Sequence, residues 1–296
     1  MKKLFLSYLY KLRYDLAFRI TLFIGVGLAV IMSLIYFALG KLSEGMFSIS
    51  GQMMFYSSLS PSENFGLAIP INLITFTVIE FNQGSIRNKI IAGNSKIKIY
   101  CSLILNGLVF AFTLLIVYAL LSLGLGMALA IPAGLDNDGV LQFSECFDPN
   151  GPVSLVGQNT AHYFLLKYTL VAVLVYVNLV AFTIFFATLF RNIGPSIPVV
   201  ILVIVFGSVA GTVISLIGQT NETLLWVFRI VDPFYAMGAS ETEISKIVID
   251  PEGNPYAIYN TIMTNETLIC GVCSNIVYAA LFFFGGLFIF KKRDVK

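Results

Sequence analysis

Long uncharged apolar runs are the feature that most restricts how this chain can fold. The longest of them, Cys101 to Ile131, contains no Asp, Glu, Lys or Arg over 31 residues. A helix needs about 20 apolar residues to cross the hydrocarbon core of a bilayer. Only 11% of the 296 residues are charged, whereas soluble proteins carry about 25%. The sequence therefore predicts an all-α polytopic membrane protein.

Six apolar runs are assigned as membrane spans. The second is short and contains Pro70, which predicts a kink or a broken start. Only Arg191 and Asn192 separate the fourth span from the fifth, so we expect a tight turn there. The predicted spans are residues 20–39, 65–81, 101–131, 168–190, 193–217 and 268–290.

Charge is distributed unevenly among the segments that join these spans. The N-terminal tail, residues 80–100, the turn at Arg191 and the C-terminal tail hold 14 of the 18 Lys and Arg residues. The same segments hold only three of the 16 acids, and the other acids fall on the side of two long loops, about 132–163 and 219–266. Basic segments remain on the cytosolic side of a membrane. We therefore expect a multi-pass protein of the bacterial cytoplasmic membrane with both termini cytosolic.

The residues before the first span follow helical spacing. Lys2, Lys3, Ser7 and Lys11 lie away from the apolar stripe on a helical wheel. This pattern predicts an N-terminal interfacial helix that rests in the headgroup layer; the alternative is a plain cytosolic extension of the first span. The stripe consists of Leu4, Phe5, Tyr8, Leu9, Leu12 and Leu16.

A second amphipathic segment, Glu80 to Tyr100, lies between the second and third predicted spans. It carries four cations against one acid, and glycines stand at positions 84 and 93. The pattern is typical of a short helix at a membrane surface that a soluble partner can bind. A basic loop held against anionic lipid is the alternative. Three isoleucines fall near one helical stripe: Ile86, Ile90 and Ile97.

Motifs of common catalytic sites are missing from the sequence. The chain has one histidine, His162, and no Walker A, His-Glu-x-x-His or Gly-x-Ser-x-Gly pattern. Cys270 and Cys273 form a Cys-x-x-Cys pair, but a metal site would need further ligands. We therefore expect a non-catalytic chain that binds no metal or cofactor itself.

Uncharged polar residues are the main polar feature inside the predicted spans. Asparagine and threonine side chains can form hydrogen bonds between helices or line a substrate path, and both interpretations remain open here. Two glycines four residues apart in the fifth span would allow another helix to approach closely. The residues concerned are Asn72, Thr75, Asn178, Gly207 and Gly211.

The segment after the second predicted span also resembles a known family. Its residues Glu80-x-x-x-Gly84-Ser85-Ile86-Arg87-Asn88-Lys89, followed by Ala92-Gly93-x-Ser95-Lys96, are similar to the coupling segment of type 2 ABC transporter permeases. The layout is similar too, with an N-terminal interfacial helix, six spans and a basic C-terminal tail. The likeness in sequence covers about 25 residues, and the likeness in layout covers the chain.

This resemblance implies a single transmembrane permease domain, residues 1–296, that serves an ATP-driven exporter. Such a subunit pairs with a second permease copy or close paralogue and with cytosolic ABC ATPase subunits, which bind ATP and Mg²⁺. A coupling helix between spans two and three would contact the ATPase. Peptides or antimicrobial compounds are the expected substrates, and no nucleic-acid partner is expected. The implied coupling residues are Glu80, Gly84, Ile86, Arg87, Asn88, Lys89 and Gly93.

Two other function classes are compatible with the same sequence. The first is a membrane sensor or scaffold whose outer loops bind a ligand and whose cytosolic segment relays the signal. The second is a membrane enzyme that acts on lipids, for which Asp232 beside Pro233 is the candidate residue. An aspartate before a proline is more typical of a turn.

Overall fold

A computed structural model describes residues 2–42, 58–59, 66–129, 161–218, 241–249, 255–262 and 265–292. The described residues form eight helices and one pair of strands. The elements are α1 (Lys2–Tyr14), α2 (Leu16–Leu42), α3 (Ala68–Asn82), α4 (Ser85–Ile91), α5 (Lys96–Ala128), α6 (Ala161–Phe190), α7 (Ile193–Gly218), β1 (Glu241–Ile249), β2 (Pro255–Ile262) and α8 (Asn265–Lys292).

Four helices in the described part of the chain are long and apolar enough to cross a membrane. Two of the other predicted spans correspond to shorter apolar helices, Ala68–Asn82 and Ile193–Gly207. At about 1.5 Å per residue, the 15 residues of α3 extend about 22 Å, less than the ~30 Å hydrocarbon core. The membrane character is therefore supported, and the count of six spans stays a prediction. The four candidate spans are Leu16–Ala38, Lys96–Ala128, Leu166–Phe190 and Leu268–Lys292.

Proline and a tight turn set two helix boundaries as expected. Pro70 lies in the first turn of α3, where the missing N–H removes no intrahelical hydrogen bond. Only Arg191 and Asn192 separate α6 from α7. Arg191 adopts a positive φ of 51°, and Asn192 Oδ1 accepts a hydrogen bond from Gly194 N at 3.2 Å. The predicted tight turn is confirmed.

The described bundle is all-helical as predicted, and a β-hairpin lies outside it, within the second long loop, 219–266. Strands β1 and β2 pair antiparallel, with an irregular register between Ile244 and Lys246. β1 contains three isoleucines and a valine, and β2 contains two isoleucines and two tyrosines, residue types that favour strands. The sequence Asp-Pro-Glu-Gly-Asn between them is typical of a turn. The rest of this loop up to residue 264, and the first loop up to residue 160, lie outside the described residues.

Helix α6 is the centre of the bundle. It contacts α3, α5, α7 and α8, and most of its apolar stretch Leu166–Phe190 is buried. Gly107 brings α5 close to α6, since a Cβ added there would lie 2.9 Å from Val180 Cγ1. Small residues at such crossings let helices of membrane proteins pack closely. Four helices are therefore arranged around α6 in the described part of the chain, and α1, α2 and α4 contact α5 in turn.

An aromatic cluster joins the last turn of α8 to the ends of α3 and α5. The buried Phe290 ring lies 5.8 Å from the Phe81 ring and 5.7 Å from the Tyr100 ring, between centroids. Tyr100 is fully buried, and its hydroxyl lies against Gly286. Lys96 Nζ also donates a hydrogen bond to the Lys291 carbonyl at 3.1 Å. These contacts place the end of α8 beside the start of α5.

Substitution of Gly286 by alanine should destabilise this end of the bundle. The new Cβ would collide with Tyr100 Oη, and the buried ring has little room to move. We expect a loss of about 1–3 kcal/mol in the free energy of unfolding, measured by thermal denaturation in detergent. Adding Tyr100→Phe, which removes the colliding oxygen, should restore part of the lost stability.

Gly124 provides the matched control for that substitution. It is also helical and exposed, and nothing lies within 4 Å of an added Cβ. Gly124→Ala should be neutral or stabilising by up to ~1 kcal/mol. An equal loss in both alanine variants would contradict the packing role of Gly286.

Candidate functional site

The site is the short helix α4 together with the two turns that join it to α3 and α5. Gly84 and Gly93 flank α4, and both adopt positive φ, 67° and 85°. Glycine adopts this left-handed conformation without steric penalty, whereas residues with a Cβ do not. The two glycines therefore reverse the chain direction on either side of α4. The Ser95 side chain then caps α5 by accepting from Lys98 N at 3.4 Å.

A buried carboxylate holds α4 in place. Glu80, near the end of α3, is fully buried. Its Oε2 accepts hydrogen bonds from Lys89 Nζ at 2.6 Å and from Ser85 Oγ at 2.7 Å, both on α4. Its Oε1 accepts from Lys11 Nζ of α1. Three donors on one carboxylate offset the penalty of burying its charge. Glu80 thus connects α1, α3 and α4.

Two aromatic rings lie against the ion cluster, which consists of Glu80, Lys11 and Lys89. Lys89 Nζ lies 3.5 Å from the centroid of the Tyr8 ring, and Lys11 Nζ lies 5.5 Å from that of Phe76. Such cation–π contacts favour a charged ammonium group over an apolar surface. Burial lowers the pKa of Lys89, and the hydrogen bond and charge of Glu80 oppose that shift. Burial, and then the charge of Glu80, raises the pKa of Tyr8, so its hydroxyl stays protonated.

Helix α4 has a buried side and an exposed side. Ile86 is fully buried, and Ile90 packs against the core. Arg87 and Asn88 are exposed, and Ile91 is 73% exposed. An isoleucine that is exposed beside a cation and an amide is suited to a protein contact with an apolar centre. The exposed face of α4, defined here as Arg87, Asn88 and Ile91, is the surface that the site presents.

The structure divides the predicted coupling residues into three groups. Glu80 and Ile86 lie behind the exposed face, and the side chain of Lys89 is only 17% exposed. Arg87 and Asn88 lie on the face, while Gly84 and Gly93 form the turns. The predicted single stripe of isoleucines is wrong in one member. Ile97 belongs to α5 and is exposed, because the turn at Gly93 separates it from α4.

Two of the predicted polar residues form hydrogen bonds between helices. Asn72 Nδ2 of α3 donates to Thr21 Oγ1 of α2 at 2.8 Å. Asn178 Nδ2 of α6 donates to Asn275 Oδ1 of α8 at 3.2 Å, and both asparagines are fully buried. Thr75 bonds within its own helix, to the Ile71 carbonyl. These contacts agree with helix packing, the first of the two interpretations.

The predicted pair of glycines lies in α7. Gly207 is half-buried, and α7 contacts α3 and α6. Gly211 belongs to the same helix, but its surroundings lie outside the described residues. Pro198, which the sequence analysis did not consider, lies inside α7.

The comparisons with known proteins give one match. Residues 26–296 match a family described as "Protein of unknown function (DUF2705)". The chain belongs to this family. Its description assigns no activity, so the resemblance to type 2 ABC permeases stays a prediction. Neither the comparison with curated proteins nor the one with solved structures gives a match.

Sequence reasoning missed three residues of the site: Tyr8, Lys11 and Ile91. The spacing of Leu4, Tyr8 and Leu12 did predict one face of α1, and all three are buried. The partner of that face could not be read from the spacing, since Lys11 and Glu80 are 69 residues apart. Ile91 follows Ile90 directly and lies off the helical stripe of Ile86 and Ile90, but its position off the stripe does not by itself mark it as part of a contact surface.

Replacement of Glu80 by glutamine should loosen α4. The change leaves the mostly buried Lys89 without its carboxylate, and breaking a buried ion pair costs about 3–5 kcal/mol. We expect a destabilisation at the lower end of this range, because the Lys11 side chain is 41% exposed and can return to water. Hydrogen exchange of the amides of residues 85–91 should become faster than in the wild type.

A double variant tests whether the buried charge is the cause. Combining Glu80→Gln with Lys89→Met removes the unpaired ammonium group and should restore part of the protection. Lys98→Gln removes an exposed cation at the start of α5 and serves as the control. Unchanged exchange in Glu80→Gln would show that the ion cluster does not hold α4.

Alanine at Gly84 should also destabilise the site, through the backbone. Nothing lies within 4 Å of an added Cβ, so any effect comes from the positive φ of 67°. The left-handed conformation costs about 1–2 kcal/mol for an ordinary residue, and asparagine tolerates it better. Thermal denaturation should rank the wild type above Gly84→Asn and Gly84→Asn above Gly84→Ala. Equal stability of the two variants would contradict this explanation.

Proposed function

We propose that this chain is the membrane-spanning permease subunit of an ATP-driven ABC exporter. A separate cytosolic ATPase would bind the exposed face of α4, and closure of the ATPase would move α3 and α5. The observation that carries the proposal is the arrangement of α4: a short helix between two apolar helices, fixed from behind by Glu80 and exposed in front. Its likeness in sequence to the coupling segment of such permeases supports the same role.

The contacts behind α4 suit it to transmitting force. Lys89 and Ser85 join α4 to the end of α3 through Glu80, and Ile86 packs into the apolar core. A push on the exposed face would therefore act on α3 and on α1, which donates Lys11 to the same carboxylate. Packed side chains and hydrogen bonds of this kind carry coupling between sites.

The proposal includes the membrane arrangement predicted from charge. In it, α2, α3, α5, α6, α7 and α8 cross the bilayer, and α1 lies in the headgroup layer. The cations of α1, α4, the start of α5 and the end of α8 lie near one another in the bundle. Lys11 and Lys89 share Glu80, and Lys96 donates a hydrogen bond to the Lys291 carbonyl. This clustering agrees with one cytosolic face. A second copy or a close paralogue would complete the transport path for a peptide or antimicrobial substrate.

Substitutions on the exposed face of α4 test the proposed ATPase contact. Arg87→Glu reverses the exposed charge, and Ile91→Asp removes the apolar centre of the face. Buried centres of interfaces carry most of the binding energy, so each change should reduce the ATPase retained on the tagged chain at least tenfold. The measurement is purification from membranes of the native host, followed by ATP hydrolysis in the eluate.

Lys41→Glu is the matched control for this experiment. Lys41 is an exposed cation in the last turn of α2, at the opposite end of that helix from α1. The control should retain the ATPase. Full retention in Arg87→Glu and Ile91→Asp, with active ATPase in all eluates, would refute the docking assignment.

The β-hairpin favours a second candidate, the sensor or scaffold. Strands β1 and β2 give the second outer loop a folded element, which a ligand outside the membrane could bind. Reconstituted vesicles distinguish the two functions, because an exporter moves its substrate when ATP is supplied to the assembled complex. A ligand-dependent change in a cytosolic partner without substrate movement would favour the sensor.

A further inference from the structure

Helix α1 exposes a second stripe that the contacts with the bundle do not use. The stripe consists of Leu6, Tyr10 and Tyr14, which are 50%, 65% and 55% exposed. On a helix it lies about 200° from the buried stripe of Leu4, Tyr8 and Leu12. A helix of a soluble protein would place polar residues there. One side of α1 therefore binds the bundle, while an aromatic side faces away from it.

Two arginines lie at the end of this exposed stripe. Arg13, in the last turn of α1, and Arg19, in α2, are both exposed. Arg19 Nε donates to the Arg13 carbonyl at 3.1 Å, and its guanidinium carbon lies 5.5 Å from the Tyr14 ring centroid. The two contacts fix the guanidinium between the helices and direct it back toward α1. Its terminal amino groups remain available for an acceptor.

The turn between α1 and α2, residues 13–19, is called the elbow here. Its one acid, Asp15, does not neutralise the arginines. Asp15 Oδ1 accepts a hydrogen bond from Ala17 N at 2.9 Å and so caps the start of α2. Neither arginine forms a salt bridge within the described part of the chain. Both arginines are exposed at the same turn, and the Arg19 guanidinium lies against the Tyr14 ring. Such a turn is suited to a phosphate, which arginine binds through paired N–H donors.

The depth of the elbow in the membrane identifies the source of the phosphate. The apolar stretch of α2 begins at Leu16, between the two arginines, and continues for 23 residues. The elbow therefore lies where hydrocarbon gives way to headgroups, the layer in which tyrosine is enriched. Phospholipids supply phosphate at this depth, and a stripe of leucine and tyrosine suits the adjoining acyl chains.

We propose that Arg13, Tyr14 and Arg19 bind the headgroup of an anionic phospholipid, with Leu6 and Tyr10 against its acyl chains. The bound lipid would fix α1, whose Lys11 lies two residues before Arg13 and bonds to Glu80. The inference rests on the membrane placement of α1 in the proposed function. It does not require the ATPase, because the site lies within one chain.

Lipid retention by the purified chain tests the site. The wild type and Arg13→Gln/Arg19→Gln are exchanged into mixed micelles with phosphatidylglycerol or phosphatidylcholine, and bound lipid is counted by native mass spectrometry. Each arginine is expected to donate charge-assisted hydrogen bonds to the lipid phosphate, so the double variant should bind phosphatidylglycerol roughly thirtyfold more weakly, or weaker still. Binding of phosphatidylcholine should differ little between the two proteins.

Lys291→Gln/Lys292→Gln is the matched control, since it removes two exposed cations from the end of α8 in the same part of the bundle. It should retain phosphatidylglycerol. A conservative variant, Arg13→Lys/Arg19→Lys, keeps the charge but lacks the paired N–H donors. Its affinity should lie between those of the wild type and the glutamine pair, which shows that the fold is intact. An equal loss of phosphatidylglycerol binding in both glutamine pairs would show that only the total charge matters, and it would overturn the site.

Two other results would also overturn the proposal. Displacement of the lipid by millimolar glycerol phosphate would identify a site for a soluble phosphate compound. Unchanged lipid retention in Arg13→Gln/Arg19→Gln, together with loss of a protein partner, would make the stripe a protein contact. The ATPase retention assay gives an independent result, so failure of the lipid site and failure of the ATPase contact are distinguishable.

Discussion

The structure at the basic end of the bundle depends on one buried charge, the carboxylate of Glu80. A carboxylate without access to water must be paired and hydrogen-bonded, or its burial destabilises the fold by several kcal/mol. Here the donors come from α1 and α4, which are separate helices. Meeting the requirements of a single side chain therefore fixes the position of two further elements. The same requirement explains why one side of α4 is fixed against the bundle while the other side is exposed.

The rest of the bundle supports this end by packing and by hydrogen bonds between helices. Helix α6 supplies the central surface, and Asn178 joins it to α8 through Asn275. Phe81, Tyr100 and Phe290 bring the ends of three helices together beside α4. Movement of α4 would therefore shift side chains of α3, α5 and α8 that pack at this end of the bundle. This connectivity is the physical basis on which a transport role or a signalling role would rest.

The sequence predicted the helices well and their mutual contacts poorly. Uncharged runs located α2, α5, α6 and α8, because length and apolarity are local properties. Glycines at 84 and 93 predicted the turns around α4 for a local reason as well. The ion cluster could not be predicted, since a helical wheel assigns Lys11 to a polar face and does not reveal a carboxylate 69 residues away. The hairpin was missed although its residue types favour strands, because the apolar runs dominated the assignment of the chain.

The ion cluster contains two ammonium groups and one carboxylate. The two ammonium groups, of Lys89 and Lys11, differ in how far they are buried. Lys89 is largely enclosed and reaches Glu80 from the adjoining helix, whereas the Lys11 side chain is 41% in contact with solvent. Water can replace the carboxylate at Lys11 with little penalty, but not at Lys89. The ion pair with α1 is consequently the weaker of the two. Because Leu4, Tyr8 and Leu12 are buried against the bundle, loss of the Lys11 contact would leave α1 in place and free one carboxylate oxygen for water, while Lys89 and Ser85 keep α4 attached.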